Sequence, residues 1–429
     1  MIAEILATGD EIRTGALVDS NSAYLAERLD SQGVEVTRHH SVGDAPAALR
    51  TVIDEISRRA DIALVTGGLG PTVDDRSAEA AAAAAGVGMA LDHKALKQIE
   101  DFFKERGRPF SLTNRKQAMI PAGADCLYNP VGTAPGFDIT IQRCRFFFMP
   151  GVPYEMKHMF NRQVLPRIEE MQGDERQFNL LKTISTFGLP ESLVGEKVAA
   201  VGDQFPGITL GLRAKFPEIQ VKLYLQTRDD QAGCKMLESA ADWVVRQIGR
   251  PVFSDDGHSM AETVGNLLIS RRETLAVAES CTGGLVGNWL TNSAGSSSFF
   301  LLSAVTYHNQ AKVKVLGVQE QTLIDHGAVH ESVACQMAEG ARRVADSTYG
   351  LSITGIAGPD GGTPEKPVGT VCIALVGPNG ITARRFHFSF GRRLMNKRIF
   401  AMAALDMLRR ELVAPIKKTD VQQEKNGNR

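Results

Sequence analysis

Thr274-Leu-Ala-Val-Ala-Glu-Ser-Cys-Thr-Gly-Gly284 decides how this chain reads. A short apolar run of strand-forming residues ends at the hydroxyl of Ser280. Two glycines follow, and a helical spacing then begins at Leu285, Val286, Trp289 and Leu290. That order places Ser280 at the carboxyl end of a strand, beside the free N–H groups of a helix start. Such a turn can hold a nucleophile next to an anion or oxyanion cradle. It can equally be a plain structural turn, and the motif alone leaves both open.

Outward from this turn, strands and helices alternate. Helix Met260–Ser270, strand Phe300–Tyr307, strands Gly350–Thr354, Val368–Val376 and Ile381–Phe388, and a long helix Leu394–Leu412 are predicted within residues 254–415. Residues 1–170 repeat the texture, with strands at Ile2–Ala7, Asp61–Thr66 and Phe146–Met149 and helices at Ser20–Leu29 and Ser77–Ala85. Alternation of this kind predicts two α/β domains with mostly parallel sheets flanked by helices. Between them, residues 171–253 read as a small α+β module with strands Lys182–Phe187 and Gln220–Gln226 and helix Ala232–Ile248. Residues 416–429 read as a polar tail.

Composition narrows the function. The 429 residues carry 48 Lys and Arg against 49 Asp and Glu, so there is no electrostatic footprint for nucleic acid. Six cysteines stand far apart with no CxxC pair, which argues against a zinc ribbon or a disulfide scaffold and fits a cytoplasmic protein. No apolar run of about 18 residues is present, so no membrane span is expected.

Ligands of open α/β sheets bind outside the carboxyl ends of the strands, which directs attention to the glycine turns there. In the last domain, Thr354-Gly-Ile-Ala-Gly-Pro-Asp-Gly-Gly362 follows an apolar strand and could present N–H groups to an anion, with the Thr354 hydroxyl free to bond substrate. Tyr307, with Lys312 five residues on, could activate a serine. Arg392 and Arg393 open the final helix as candidate partners of a phosphate or carboxylate. Cys281 is a rival nucleophile.

Together with Val305-Thr-Tyr-His-Asn309, Gly327-Ala-Val329 and Lys366-Pro-Val-Gly-Thr370, these fragments resemble the nicotinamide-nucleotide amidohydrolase domain at the carboxyl end of the competence/damage-inducible protein A family. The resemblance implies hydrolysis of the amide of nicotinamide mononucleotide (NMN) to nicotinate mononucleotide and ammonia, without a cofactor. It implies Ser280 as nucleophile, Tyr307 and Lys312 as activators, and Thr354 and Arg393 as contacts, with Arg392 able to take the arginine role. Thr282, Gly283, Gly284, Gly355, Gly358, Gly361 and Gly362 would cradle substrate. The hydroxyl of Ser280, the phenol of Tyr307 and the amine of Lys312 are expected to converge over one pocket. His308 departs from the family's usual serine and would alter the activators' pKa values.

In the first domain, Thr8-Gly-Asp-Glu11, Asp19-Ser-Asn21, Thr66-Gly-Gly-Leu-Gly-Pro-Thr-Val-Asp-Asp75, Asn129–Gly136 and Pro150–Pro153 fall at strand ends or loops. Gly9, Gly67, Gly68, Gly70 and Thr72 would face a nucleotide's phosphates. Asp10, Asp74 and Asp75 offer hard oxygen ligands to a divalent ion of the magnesium or cobalt type, although Asp74-Asp75 could instead cap the next helix. This set resembles the molybdopterin-binding domain at the front of the same family, which implies a possible metal-dependent ADP-ribose pyrophosphatase and a homodimer. A non-catalytic nucleotide- or molybdopterin-binding scaffold associated with competence or recombination is the alternative.

Overall fold

The computed structural model describes residues 1–173, 176–388 and 390–414; the polar tail predicted for 416–429 lies outside them. Two compact units emerge. Met1–Leu181 with Leu225–Lys235 form the first, and the rest of the described chain forms the second.

In the first unit the elements run β1 (Ile2–Thr8), α1 (Ser20–Ser31), β2 (Glu35–Val42), α2 (Pro46–Ser57), β3 (Ile62–Thr66), α3 (Ser77–Ala85), α4 (His93–Glu105), β4 (Asp125–Leu127), β5 (Gly136–Ile141), β6 (Cys144–Met149) and α5 (Pro153–Met159). The sheet order is β2-β1-β3-β6-β5-β4. The pairs among β2, β1, β3 and β6 are parallel, and β5 joins β6 and β4 antiparallel. Alternate side chains of each strand face opposite layers. Phe146 and Phe148 thus pack with Leu49, Ile53 and Ile56 of α2, while Phe147 and Met149 pack with Leu25 and Leu29 of α1. Burial on both faces is why the central strands read as continuous apolar runs. The buried acid of β1, Glu4, is held by the forked Arg59 at 2.6 and 2.9 Å and by His40 at 2.7 Å.

A four-stranded sheet follows, built from β7 (Phe178–Thr186), β8 (Ile208–Lys215), β9 (Glu218–Thr227) and β10 (Val252–Ser254) in the order β8-β9-β7-β10, with helices α6 (Glu191–Val198) and α7 (Asp230–Ile248).

The remaining elements are α8 (Met260–Arg271), β11 (Leu275–Glu279), α9 (Leu285–Thr291), β12 (Phe300–Val305), α10 (Asn309–Leu316), α11 (Glu331–Ala345), β13 (Tyr349–Gly355), β14 (Thr370–Gly377), β15 (Gly380–His387) and α12 (Arg393–Val413). Their sheet runs β12-β11-β13-β14-β15. β11 is parallel to β12 and β13, whereas β14 and β15 are antiparallel additions, so parallel and antiparallel pairs are equal in number here. α8 and α12 cover one face through Val264, Leu268, Phe400 and Leu405, and α11 covers the other through Val333 and Met337. Arg409 of α12 ties this domain to the preceding segment, donating to the carbonyls of Val252 (3.0 Å) and Arg250 (2.9 Å) while paired with Asp406. Among the described residues, no helix is long and apolar enough to cross a membrane.

Candidate active site

β11 is buried along its whole length and delivers Ser280 to the carboxyl edge of the sheet. There the Ser280 N–H extends the ladder by donating to the Ile353 carbonyl at 3.0 Å. Lys312 comes from α10, which His308 caps by accepting from the Gln310 N–H at 3.3 Å. His308 is thus a helix cap. Helical side chains lean toward the amino terminus, so the Lys312 amine returns over its own first turn. It donates to the carbonyls of Thr306 (2.8 Å) and Tyr307 (3.2 Å) and to Ser280 Oγ (3.1 Å). Lys312 is 1% exposed. Burial, unrelieved by any carboxylate, pushes its pKa below the ordinary lysine value.

Cys281 turns the other way, into the core formed by Val286, Leu290 and Phe400. Burial pushes its thiol up to about 12, so it holds no thiolate at neutral pH. Of the two rival nucleophiles, only Ser280 has a base in contact.

Tyr307 departs from expectation. Its side chain is 60% exposed, and its phenol accepts from Arg393 Nη2 at 2.9 Å. It meets Lys312 only through its main-chain carbonyl. The strand ends at Val305, two residues earlier, so the sheet does not aim the ring at Ser280. Ser280 and Lys312 converge; the phenol belongs to Arg393. That guanidinium also donates to the Gly358 carbonyl at 2.6 Å, so of the two arginines it is Arg393 that ties the glycine loop to the strand end. Arg392 is the residue before the helix and makes neither contact.

The expected cradle is also altered. The Gly283 N–H donates to the Ser280 carbonyl, and the Gly284 N–H donates to Glu279 at 3.0 Å. Glu279, fully buried, further accepts from the N–H groups of Val286 (3.2 Å) and Gly287 (2.9 Å) and from Ser303 Oγ (3.4 Å). The start of α9 is therefore satisfied by a side chain of the protein. Left over in this turn are the N–H groups of Cys281, Thr282 and Leu285, for which no other described residue supplies an acceptor. The Thr282 hydroxyl is buried without a partner.

The Thr354 hydroxyl is not free for substrate, since it donates to the Ala328 carbonyl at 2.8 Å. Gly355 is a sheet residue opposite Val371, where a β-carbon would lie 2.7 Å from the Thr370 carbonyl oxygen. Gly358 packs on Val368, and Gly362 lies against the Val368 N–H. Gly361 and Gly362 sit on the exposed part of the loop. Of the expected cradle glycines, Gly283 and Gly284 thus spend their N–H groups within the turn, Gly355 belongs to the sheet and Gly358 packs on Val368.

In the first unit, all five singled-out segments meet. Gly9, Asp19, Asn21, Gly67, Gly68, Gly70, Asp74, Asp75, Thr133 and Gly151 line one cavity of about 560 Å³. Gly67, at φ +101°, has no room for a side chain, because a β-carbon would lie 2.5 Å from the Thr8 carbonyl oxygen. Two predicted members fall outside. Thr72 donates its N–H and hydroxyl to Asp75 at 2.8 and 2.5 Å, and Asp10 pairs with Arg13 at 3.0 Å along a separate groove. Asp75 therefore braces its own loop, and α3 starts without a side-chain cap. Lys116, which the sequence did not single out, fastens this loop through the carbonyls of Thr72 (3.0 Å) and Asp75 (2.7 Å). Burial, together with the charges of Asp10, Glu11 and Asp74, raises the pKa of Asp44 at the cavity wall. Among the described residues, no group of three or more His, Cys, Asp or Glu side chains is placed to hold a metal ion. Asp74 and Asp75 line the cavity and Asp10 the separate groove, so the three expected ligands are not gathered into one cluster.

A CinA-like protein of Desulfosudis oleivorans is 50% identical over 413 residues, covering 96% of this chain and 100% of the relative. The chain belongs to the CinA family. A CinA-like protein of Desulforapulum autotrophicum is 47% identical over 417 residues, covering 96% and 99%. Residues 257–412 match the CinA C-terminal domain, and residues 4–170 match the probable molybdopterin binding domain. Among solved structures, the competence/damage inducible protein CihA of Agrobacterium tumefaciens is 37% identical, covering 36% of this chain and 96% of that one, with a TM-score of 0.34.

Sequence reasoning missed Glu279 as a structural element of this CinA-family site. Its signal was present: a lone acid closing an apolar strand directly before Ser280 must find several donors if buried.

Proposed function

We propose that this chain is an NMN deamidase, an amidohydrolase acting through Ser280 and Lys312. The observation that carries the reading is the buried amine of Lys312 at 3.1 Å from Ser280 Oγ. Desolvation favours neutral Lys312, which can take the serine proton as Oγ attacks the carboxamide carbon. The N–H groups of Cys281 and Thr282 are donors available to the developing oxyanion. Lys312 then passes its proton to the leaving nitrogen, releasing ammonia and leaving an ester on Ser280. Water, deprotonated by the same amine, attacks that ester; the acid product leaves and Ser280 regains its proton. Arg393, held by Tyr307 and Gly358, is a further contact at the substrate's edge of the site.

The test is ammonia release from NMN by the purified full chain. Activity is expected to vanish in Ser280→Ala and persist in Cys281→Ala; no ammonia from the unaltered chain would refute the reading. A homodimer, implied by the family resemblance, and a cytoplasmic setting, read from the scattered cysteines, belong to the same proposal.

The 560 Å³ cavity of the first unit supports nucleotide binding there, with ADP-ribose as the proposed ligand. Asp10 stands apart from Asp74 and Asp75, so no hydrolytic step is derived for this cavity. A thermal shift of the full chain with ADP-ribose checks this binding.

A further inference from the structure

Arg392, Arg393, Lys397 and Arg398 crowd the start of α12, whose first turn contains no acid. A helix amino terminus presents positive partial charge, so cations there are unfavourable unless an anion offsets them. Their partners differ. Arg393 is committed to Tyr307 and Gly358. Arg398 lines a separate cleft with Phe216, Trp289 and Met402. Lys397 is half-buried and leans over the Ser280 turn, where a β-carbon on Gly283 would lie 3.5 Å from its Nζ.

No carboxylate pairs with Lys397 among the described residues. The N–H groups of Gly283 and Gly284, the sequence's choice for holding an anion, are consumed by Ser280 and Glu279. Beside Gly283 in the chain, the buried hydroxyl of Thr282, able to donate to an anion, lacks a protein partner. Protein atoms therefore leave both the charge and the hydrogen bonding of this seam incomplete.

We propose that Lys397 binds the phosphate of the mononucleotide and sets the preference for a nucleotide over the corresponding nucleoside; this rests on the deamidase reading. Lys397 and Arg393 stand one helical turn apart on the same face. An anion over the Ser280 turn would touch the ammonium while the guanidinium stays braced by Tyr307. A lysine suits this role because it acts as a point charge for phosphate without needing a planar fork.

Steady-state kinetics of the full chain with NMN and with nicotinamide riboside test it. In Lys397→Met, the ratio of kcat/KM for NMN to that for the riboside is expected to fall roughly tenfold or more, mainly through KM for NMN. Lys397→Arg is expected to recover most of that ratio. Inorganic phosphate is expected to inhibit riboside hydrolysis competitively in the unaltered chain, and far less in Lys397→Met. An unchanged ratio in an active Lys397→Met enzyme, or equal losses on both substrates, overturns the assignment. An unaltered chain that releases ammonia from neither substrate overturns the deamidase reading and this proposal with it.

Discussion

Replacing Glu279 by glutamine keeps the shape of the side chain and removes its charge. The carboxylate accepts from Gly284, Val286 and Gly287 N–H groups and from Ser303 Oγ. Glutamine best turns its one oxygen toward Gly284 and Val286, and its NH₂ then faces the Gly287 N–H. One buried donor is left unmet, costing about 1–3 kcal/mol, and the other two bonds lose their charge assistance at about 1 kcal/mol each. Destabilisation of the second unit by about 3–5 kcal/mol follows. That corresponds to a fall of roughly 6–20 °C in the midpoint of its unfolding, at 2–4 °C per kcal/mol for this size. The same turn positions Ser280, and loosening it by an ångström is expected to lower kcat by about 10²-fold. Calorimetry, hydrogen exchange at the Gly284, Val286 and Gly287 amides, and ammonia release measure the three effects. A Glu279→Gln chain with unchanged melting, amide protection and turnover would refute the reasoning.

Lys312 makes activity pH-dependent. Only its neutral form accepts the serine proton, and burial lowers its pKa from 10.5, so kcat/KM is expected to rise with pH through the lowered value and level off before 10.5. Across that window the unfolded chain binds more protons than the folded one, so stability also rises with pH. Lys312→Arg is expected to lose about 10³-fold in kcat and the ascending limb with it; a pH–rate profile decides. Cys281→Ala is expected to keep turnover within about twofold while losing about 1 kcal/mol of stability from its filled core position, read by urea titration. Arg393→Lys cannot hold Gly358 and Tyr307 in one planar fork, and kcat/KM is expected to drop about 10- to 100-fold, against a smaller loss in Tyr307→Phe. Gly67→Ala meets both the positive φ and the Thr8 carbonyl, and is expected to destabilise the first unit by about 2–4 kcal/mol in calorimetry.

Strands buried on both faces were legible because they carry unbroken apolar runs: Ile62–Val65, Phe146–Met149 and Leu275–Ala278. β2 escaped notice. Glu-Val-Thr-Arg-His-His-Ser-Val is an edge strand whose exposed positions carry polar side chains with no apolar alternation. The antiparallel edge of the last sheet was legible as strands, although nothing in β14 or β15 signals direction. Within the site, Ser280 stood out by its place between strand and glycines and Lys312 by its spacing from Tyr307, whereas their contact depends on how α10 leans back over its cap. Tyr307 was misjudged because sequence spacing does not say where a strand stops. The glycines were misjudged because a turn's N–H groups look available until the buried carboxylate that takes them is located.

Arg409 reaches out of the last helix to the backbone of Arg250 and Val252, and Phe253 sits in the core beneath α8. A truncation that begins at residue 254, where composition invites the cut, would strip a mostly enclosed guanidinium of two acceptors and remove an aromatic plug. Expression of the carboxyl-terminal portion alone should therefore start upstream of α7, so that the fragment carries the segment its final helix grips.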